Sequence, residues 1–290
     1  MSEPTPVRNE PLPEPAVSRG TRLWRGFACW LTFLLTPLGW FCFGRLIRRL
    51  EPERLDKGLI LVLTGIEGHS FLNVSILCGL IDGGVEHAVD IVDWTTGKKF
   101  MYLYHLRGWT RNNRVASELA TRIHDYQNQY PGRPVWLVGH SGGGGMALLT
   151  AAALPEERQV TGIVLLAAAV SPTFDIRPAA DRVIRGIWNY HSQLDWFFLV
   201  FGTTLLGTMD GQHVRAAGAC GFRGRTTDEL VKSGGLIQRP WQWRMLSQFN
   251  PGDHFGCVHR VFVAEEIVPL IRARDEAQSG DTSRGQEGGV

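Results

Sequence analysis

The sequence has little excess charge and no cysteine pattern. Thirty Lys and Arg against 28 Asp and Glu leave a formal net charge of +2 over 290 residues. Because the basic residues are not concentrated on one predicted element, no nucleic-acid partner is expected. The five cysteines are odd in number and widely spaced, so they indicate neither a disulfide framework nor a zinc site. We expect buried thiols, no metal and no organic cofactor.

Two nucleotide-binding patterns are also incomplete. Residues 142–147 match the dinucleotide-binding sequence G-x-G-x-x-A, but that motif needs an acidic residue at the end of the next strand to hold a ribose. The next apolar stretch, 163–169, is followed by no carboxylate before Asp175. A phosphate-binding loop of the G-x-x-x-x-G-K-[ST] type is excluded because the lysine is missing. The glycines around position 142 therefore have a different explanation.

Ser141 lies in the sequence G-H-S-G-G, between an apolar strand-like stretch, 135–138, and a helix-like stretch, 146–154. A G-x-S-x-G sequence on a strand-to-helix turn is the nucleophile elbow. Its serine is strained, and the neighbouring chain can approach only where Gly139 and Gly143 lack side chains. The first N–H groups of the helix then point toward an oxyanion on the substrate. The stretch predicts a nucleophilic serine; the alternative is a tight connection whose glycines serve packing alone.

Apolar strands alternate with helices over most of the chain. Besides the elbow, strands are expected over 58–63, 85–94, 161–169 and 186–192, helices over 71–82, 114–130 and 261–272, and a polar loop over 102–113. This alternation predicts the α/β class, with a mostly parallel sheet covered by helices on both faces. The predicted catalytic domain runs over 51–274, and about 196–250 are candidates for a cap.

The two ends of the chain differ from this domain in composition. Residues 1–20 contain five prolines and residues 275–290 are polar and Gly-rich, so both are predicted to be disordered tails. The uncharged run from Gly26 to Gly44 would be roughly 28 Å long as a helix, close to the about 30 Å of a bilayer core. Residues 21–50 are therefore expected to form a membrane anchor of undetermined orientation. A membrane-surface or re-entrant helix and a helix packed on the catalytic domain stay open as alternatives.

With these motifs, residues 58–272 resemble an α/β-hydrolase of a bacterial esterase- or lipase-like branch. The resemblance rests on the elbow, on the loop T-G-I-E-G at 64–68, and on the order Ser, Asp, His along the chain. It implies that Ser141 is the nucleophile and that the backbone N–H groups of Gly142 and Ile66, with Glu67 as the next choice, bind the oxyanion. The two leading antiparallel strands common in the fold have no obvious counterpart in this sequence.

The histidine of such a site must exchange a proton with the serine, so its loop must end near the elbow. His254 fits best, since it follows a turn, precedes the last helix and comes last in chain order. His213 is the rival candidate. We expect His140 to be a packing residue and His259 to lie on the surface.

The acid should follow a strand later than the elbow, where it can orient the histidine. Asp195 follows the predicted strand 187–192, and Asp175 follows the preceding one, 161–169. Asp195 is preferred because its strand is the later one, and Asp175 stays open as the alternative. Asp253 would need an awkward bend to reach the ring of its neighbour. The apolar residues after Asp195 either line an acyl pocket or form the core face of a cap helix: Trp196, Phe197, Phe198, Phe201, Leu205 and Leu206.

These residues predict a serine hydrolase that cleaves a carboxylic ester of a small molecule or lipid through an acyl-enzyme. His69, in the loop of residues 64–70 that is expected to bind the oxyanion, and Phe198 are expected to contact the substrate. The alternatives are a thioesterase or acyltransferase on the same fold, and a non-catalytic membrane-anchored binding protein. The sequence does not determine the oligomeric state.

Overall fold

One seven-stranded sheet organises the described residues of this computed structural model, which are 17–34, 48–98 and 100–272. The strands are β1 Arg48–Arg49, β2 Leu59–Leu63, β3 Ala88–Val92, β4 Val135–His140, β5 Gly162–Leu166, β6 Ile187–His191 and β7 Leu236–Pro240. Their order across the sheet is β1-β3-β2-β4-β5-β6-β7. All neighbouring pairs are parallel except β1 and β3. The two-residue β1 thus supplies an antiparallel edge that the sequence did not predict.

Helices cover both faces of this sheet. The α-helices are α1 Arg19–Leu34, α2 Pro52–Leu55, α3 Phe71–Asp82, α4 Tyr102–Arg107, α5 Trp109–Gln129, α6 Gly142–Ala152, α7 Arg177–Ala180, α8 Thr203–Leu206, α9 Ala217–Cys220, α10 Arg225–Ser233 and α11 Arg260–Phe262. Helices α1, α3 and α11 pack together, while α5, α6 and α7 form a second group. Because helices shield both faces, every residue of β2, β4 and β5 is buried, as in parallel sheets generally. The predicted fold class is confirmed.

Residues 102–113 are helical, so the expectation of a polar loop is wrong. α4 ends at Arg107, and α5 begins one residue after Gly108. The buried Asn112 side chain donates a hydrogen bond to the carbonyl oxygen of His105 across 2.9 Å. This bond satisfies a carbonyl group at the end of α4. Two short helical stretches joined by a polar contact carry no long apolar repeat, which is why the sequence pattern missed them.

The first part of the expected anchor is a helix packed on the domain. Gly26, Cys29 and Phe33 on α1 are buried, and the Arg22 guanidinium donates to Glu265, with Nη2 and Oε2 2.9 Å apart. Within the described residues, no helix is both long enough and apolar enough to cross a bilayer. The rest of the apolar run, 35–44, lies outside the described residues, as do most of both predicted tails, although Arg19 and Gly20 already belong to α1.

His259 connects α1 to the end of the chain, so its expected surface position is wrong. The side chain is fully buried. Its Nε2–H donates to the carbonyl oxygen of Gly26 at 3.1 Å, while Nδ1 accepts the N–H of Val261 at 3.2 Å. Burial lowers the pKa of His259 to about 4, so the ring stays neutral and each nitrogen keeps its assigned role.

The segment considered for a cap is divided between the sheet and the surface. β7 pairs with β6 and belongs to the sheet. A π-helix, Trp196–Gly202, and α8 lie before it, and a 3₁₀-helix, Trp243–Gln248, follows it. Of the five cysteines, Cys29 and Cys257 are buried as expected, but Cys78 and Cys220 are only partly buried, and Cys42 lies outside the described residues.

Candidate active site

Three parallel strands end at one edge of the sheet, and each is followed there by a residue of the candidate site. The oxyanion loop, residues 64–70, follows β2, Ser141 follows β4, and Asp195 lies beyond the end of β6. Since neighbouring parallel strands end together, residues distant in sequence meet there. This edge is where binding crevices form in open α/β sheets.

Ser141 occupies a backbone conformation that L-residues rarely adopt. Its φ is 54° and its ψ is −120°, a strained region that persists only where the surroundings hold it. The carbonyl oxygen of Ser141 accepts the N–H groups of Gly144 and Ala169, each at 3.0 Å. A Cβ on Gly139 would overlap the backbone of Gly143, and one on Gly143 would overlap the carbonyl oxygen of Leu63. Both glycines therefore serve the close approach that the sequence predicted.

The oxyanion loop lies directly against the start of α6. A Cβ placed on Gly142 would lie 2.8 Å from Cγ2 of Ile66, so the two residues predicted to bind the oxyanion are neighbours. The indole N–H of Trp94 donates to the carbonyl oxygen of Thr64 at 2.6 Å. This bond holds the loop at its first residue.

His105 holds the same loop at Ile66, two residues after Thr64. The sequence did not predict this role. Its Nδ1 lies 3.0 Å from the carbonyl oxygen of Ile66, and its Nε2 lies 2.7 Å from Oγ1 of Thr96. Because a carbonyl oxygen only accepts, Nδ1 carries the proton and Nε2 accepts from the hydroxyl. His105 is buried. The segment that contains it was interpreted as a loop, so no signal pointed to this contact.

Asp195 and His254 form a buried hydrogen-bonded pair. Asp195 Oδ2 lies 2.5 Å from His254 Nδ1, and the two side chains are nearly inaccessible. Oδ1 of Asp195 also accepts the N–H of Leu199 at 3.4 Å, at the first turn of the π-helix. A carboxylate acceptor at Nδ1 requires the proton on that nitrogen, which leaves the lone pair of Nε2 to act as a base.

The rival residues do not join this pair. Asp175 is exposed, and its Oδ1 accepts the N–H of Arg177 at the start of α7. Asp253 Oδ1 accepts two backbone N–H groups of its own turn. The exposed His213 contacts the carbonyl oxygen of Thr204.

His140 supports the loop that carries His254. Its Nε2–H donates to the backbone carbonyl oxygen of His254 at 3.1 Å, and the ring centroids are 4.8 Å apart. Burial, more than the nearby His254, lowers the pKa of His140 to about 3. The ring is therefore neutral at physiological pH and packs against His254 inside the protein, in agreement with its expected packing role.

Glu67 brings a carboxyl group into the oxyanion loop. Its Oε1 accepts a hydrogen bond from the Ser70 hydroxyl at 3.2 Å, and its other oxygen lies close over Gly65. Burial raises the pKa of Glu67, and the opposing effects include the electrostatic influence of His254. The site therefore contains an acidic group besides Asp195, close enough to interact with the histidine.

The two predicted substrate contacts lie beside these groups. The Phe198 ring stacks on His254, with centroids 4.7 Å apart and planes 27° apart, and His69 is half-buried in the oxyanion loop. Of the apolar residues after Asp195, only Leu199 is buried within the π-helix, whereas Trp196, Phe197 and Phe201 are more than half exposed. These exposed rings do not form the core face of a cap.

Part of the chain matches a known family model. Residues 104–196 match the family model described as serine aminopeptidase, S33, and no curated protein matches the chain significantly. Similar solved structures include an esterase B from Lactobacillus rhamnosis (13% identity, covering 94% of this chain and 100% of that one, TM-score 0.45). Another is a poly(3-hydroxybutyrate) depolymerase from Bordetella parapertussis (13% identity, 76% and 80% covered, TM-score 0.45). A third is a dienelactone hydrolase-like promiscuous phosphotriesterase from metagenomic libraries (15%, 74% and 86%, TM-score 0.46).

Likenesses at these identities and TM-scores carry no information on substrate. The identification rests on the chain itself: the parallel sheet, the strained serine in G-H-S-G-G, and the S33 match, which includes β4, Ser141 and Asp195. The chain has an α/β-hydrolase fold, and residues 104–196 resemble the S33 family.

Proposed function

We propose that this protein is a serine hydrolase that cleaves carboxylic esters through an acyl-enzyme. The observation that carries the proposal is the buried Asp195–His254 hydrogen bond of 2.5 Å at the same sheet edge as the strained Ser141. A serine, a histidine and a carboxylate in this relation activate the hydroxyl as a nucleophile.

In the proposed mechanism, Nε2 of His254 takes the hydroxyl proton as Ser141 Oγ attacks the ester carbonyl carbon. Asp195 keeps the proton on Nδ1 and stabilises the imidazolium. The N–H groups of Gly142 and Ile66 donate to the oxyanion of the tetrahedral intermediate. The imidazolium then protonates the leaving alcohol, and water, deprotonated by the same nitrogen, releases the acid. His69 and Phe198 contact the substrate.

Amide cleavage beside a free amino group is a second candidate. The family model that matches residues 104–196 describes a serine aminopeptidase, and the carboxyl group of Glu67, which interacts with His254, is a hydrogen-bond acceptor for an ammonium group. Transfer of the acyl group from a thioester, or to an acceptor other than water, would use the same serine.

The test combines labelling with a substrate series. We expect a fluorophosphonate probe to label the wild type and not Ser141→Ala, and nitrophenyl esters of increasing acyl length to be cleaved with a clear optimum. Parallel assays with aminoacyl nitroanilides and acyl thioesters separate the candidates. A folded protein that neither reacts with the probe nor cleaves any substrate would be a non-catalytic binding protein.

We also propose that the protein associates with a membrane through its N-terminal region. Residues 26–44 are uncharged and mostly apolar, and arginines flank them on both sides, which is a pattern of membrane segments. In that case the full chain sediments with membranes from expressing cells. Complete recovery in the soluble fraction without detergent would contradict it.

A further inference from the structure

A continuous row of aromatic rings crosses the mouth of the candidate site. Trp196 contacts Phe197 (5.8 Å between ring centroids), Phe197 contacts Phe198 (5.0 Å), and Phe198 contacts Phe255 (5.5 Å). Phe255 in turn lies 6.4 Å from Phe33 of α1. Since Phe198 also stacks on His254, the row joins the catalytic histidine to the N-terminal helix.

Both ends of this row carry large apolar side chains that face outward. We call these residues the apolar collar: Leu23, Trp24, Phe27, Leu31 and Leu34 on α1, and Trp196, Phe197, Phe201, Leu205 and Leu206 on the π-helix and α8. Trp24 is 72% exposed and Leu34 is 77% exposed. Soluble proteins rarely expose large apolar patches except where they bind a partner or a membrane.

The exposed residues of α1 form a second stripe, beside the one that packs on the domain. Residues 23, 27, 31 and 34 follow helical spacing, and so do the buried residues Gly26, Cys29 and Phe33. One stripe is explained by the fold. The other stripe, residues 23, 27, 31 and 34, stays exposed among the described residues.

The charges near the collar select its occupant. Neither α1 nor the segment 196–209 contains an Asp or Glu, whereas α1 contains Arg19, Arg22 and Arg25. Arg22 and Arg25 point inward to Glu265 and Asp82, whereas Arg19, at the start of α1, is exposed. The carboxylates next to α1 are thus already paired with its inward arginines. Exposed aromatic and aliphatic side chains beside an exposed arginine suit an anionic phospholipid surface.

We propose that the apolar collar docks on a surface of anionic phospholipid, with the mouth of the catalytic site facing the lipid. Trp24, Phe27 and Phe201 enter the boundary between headgroups and acyl chains, and an ester dissolved in the bilayer reaches Ser141 past Phe198. The docking step is independent of catalysis. The delivery of a lipid ester rests on the proposed function.

The first experiment measures binding alone, by sedimentation of the full chain with vesicles of phosphatidylcholine, with and without phosphatidylglycerol. Wild type and Ser141→Ala should bind equally, and better when phosphatidylglycerol is present. Trp24→Ser and Leu31→Ser should each weaken partitioning by about tenfold, since each removes one large side chain from the buried area. Arg19→Gln should weaken binding by about fivefold, and only to the anionic vesicles.

Ile184→Ser is the matched control. Ile184 is 52% exposed, comparable to Leu31 at 59%, but its N–H bonds to Val160 before β6 begins, at the opposite edge of the sheet. Its loss should leave vesicle binding unchanged. Cleavage of a soluble nitrophenyl acetate should be the same in Trp24→Ser, Leu31→Ser and wild type, while cleavage of a vesicle-embedded ester should fall in parallel with binding.

Three results would overturn the docking proposal. One is absence of vesicle binding by the wild type, and another is equal weakening by Ile184→Ser and Trp24→Ser. The third is a dimer in solution that Trp24→Ser dissociates, with no lipid binding, which would make the collar an interface between copies. If vesicles bind as expected but Ser141→Ala keeps the wild-type rate, docking stands and the proposed function fails.

Discussion

His140 donates a hydrogen bond from Nε2 to the backbone carbonyl oxygen of His254, the residue whose ring is bonded to Asp195. The residue that precedes the strained serine thus holds the loop of the proposed base. No described group bonds to Nδ1 of His140. Among the described residues, the hydrogen bond to His254 is therefore the polar contact of this ring. This bond therefore links the elbow directly to the backbone of His254.

His140 should act as a positioning residue. Since Gln retains an N–H donor and Leu does not, we expect His140→Gln to keep more activity than His140→Leu. Measurement of kcat and KM for a soluble ester separates the effects, because a displaced base lowers kcat at nearly constant KM. Equal loss in the two variants would indicate packing alone.

The same residue should make stability depend on pH. The pKa of His140 is lowered in the folded state from 6.5 to about 3, so the unfolded chain binds a proton that the folded chain does not. The resulting contribution to stability is complete above about pH 6.5 and is lost as the pH falls toward 3. Urea unfolding at several pH values should show a shallower dependence for His140→Gln, because Gln does not titrate. An unchanged slope would contradict burial of a neutral ring.

Asp195 and Asp175 provide a matched pair of carboxylates. Asp195→Asn should reduce turnover by up to about four orders of magnitude with little change in melting temperature, because the wrong imidazole tautomer is favoured. Asp175→Asn, at an exposed site, should stay within about tenfold of the wild type. Steady-state kinetics on one ester tests both, and the reverse ranking would move the acid to the end of β5.

Ser141 should be costly to the fold as well as essential to the reaction. Ser141→Ala and Ser141→Gly both lack the hydroxyl and should lose at least about a thousandfold in activity. The two variants differ only in the Cβ. The backbone φ of 54° at this position favours glycine. We therefore expect Ser141→Gly to be more stable than Ser141→Ala by about 1 kcal/mol in chemical denaturation. A less stable glycine variant would argue against strain at the elbow.

Glu67 should influence the acid limb of the pH–rate profile. Burial raises the pKa of Glu67, so its carboxyl ionises at a higher pH than an exposed one, and once ionised it carries a negative charge close to His254. His254, Ser70 and Asn73 interact with the Glu67 carboxyl group. Tyr102 is also near, since the charge of Glu67 contributes, after burial, to the raised pKa of Tyr102. In Glu67→Gln this charge is absent, and the acid limb of kcat/KM should shift to lower pH. Glu67→Asp is the control that keeps the charge, and a shift in both variants would assign the effect to shape.

The packing of α1 can be tested with two of its glycines. A side chain on Gly26 would overlap the ring of Phe249, whereas one on Gly20 meets nothing within 4 Å. Gly26→Ala should destabilise the protein by about 1 to 3 kcal/mol, and Gly20→Ala should be neutral or stabilise it by up to about 1 kcal/mol. Equal thermal stability of the two variants would mean that α1 does not pack on the domain in solution.

Local patterns in the sequence were sufficient for the serine and its surroundings. A strand, two glycines and a helix occupy consecutive positions, so the elbow at Ser141 and the succession of strands and helices follow from periodicity and steric demands within a few residues. The order of Asp195 and His254 along the chain restricted the acid to two candidates. It did not choose between them.

Only the tertiary structure shows which of the two carboxylates lies beside His254. Asp195 is 59 residues away from it in sequence, and their hydrogen bond depends on how β6 and the last loop end at the sheet edge. The contacts of His105 and His259 were hidden for the same reason: each ring bonds to a backbone carbonyl far away in sequence. Composition alone made α1 resemble an anchor, since the sequence does not distinguish an apolar face that meets protein from one that meets lipid. α1 has both kinds of stripe, and the fold decides which one is buried.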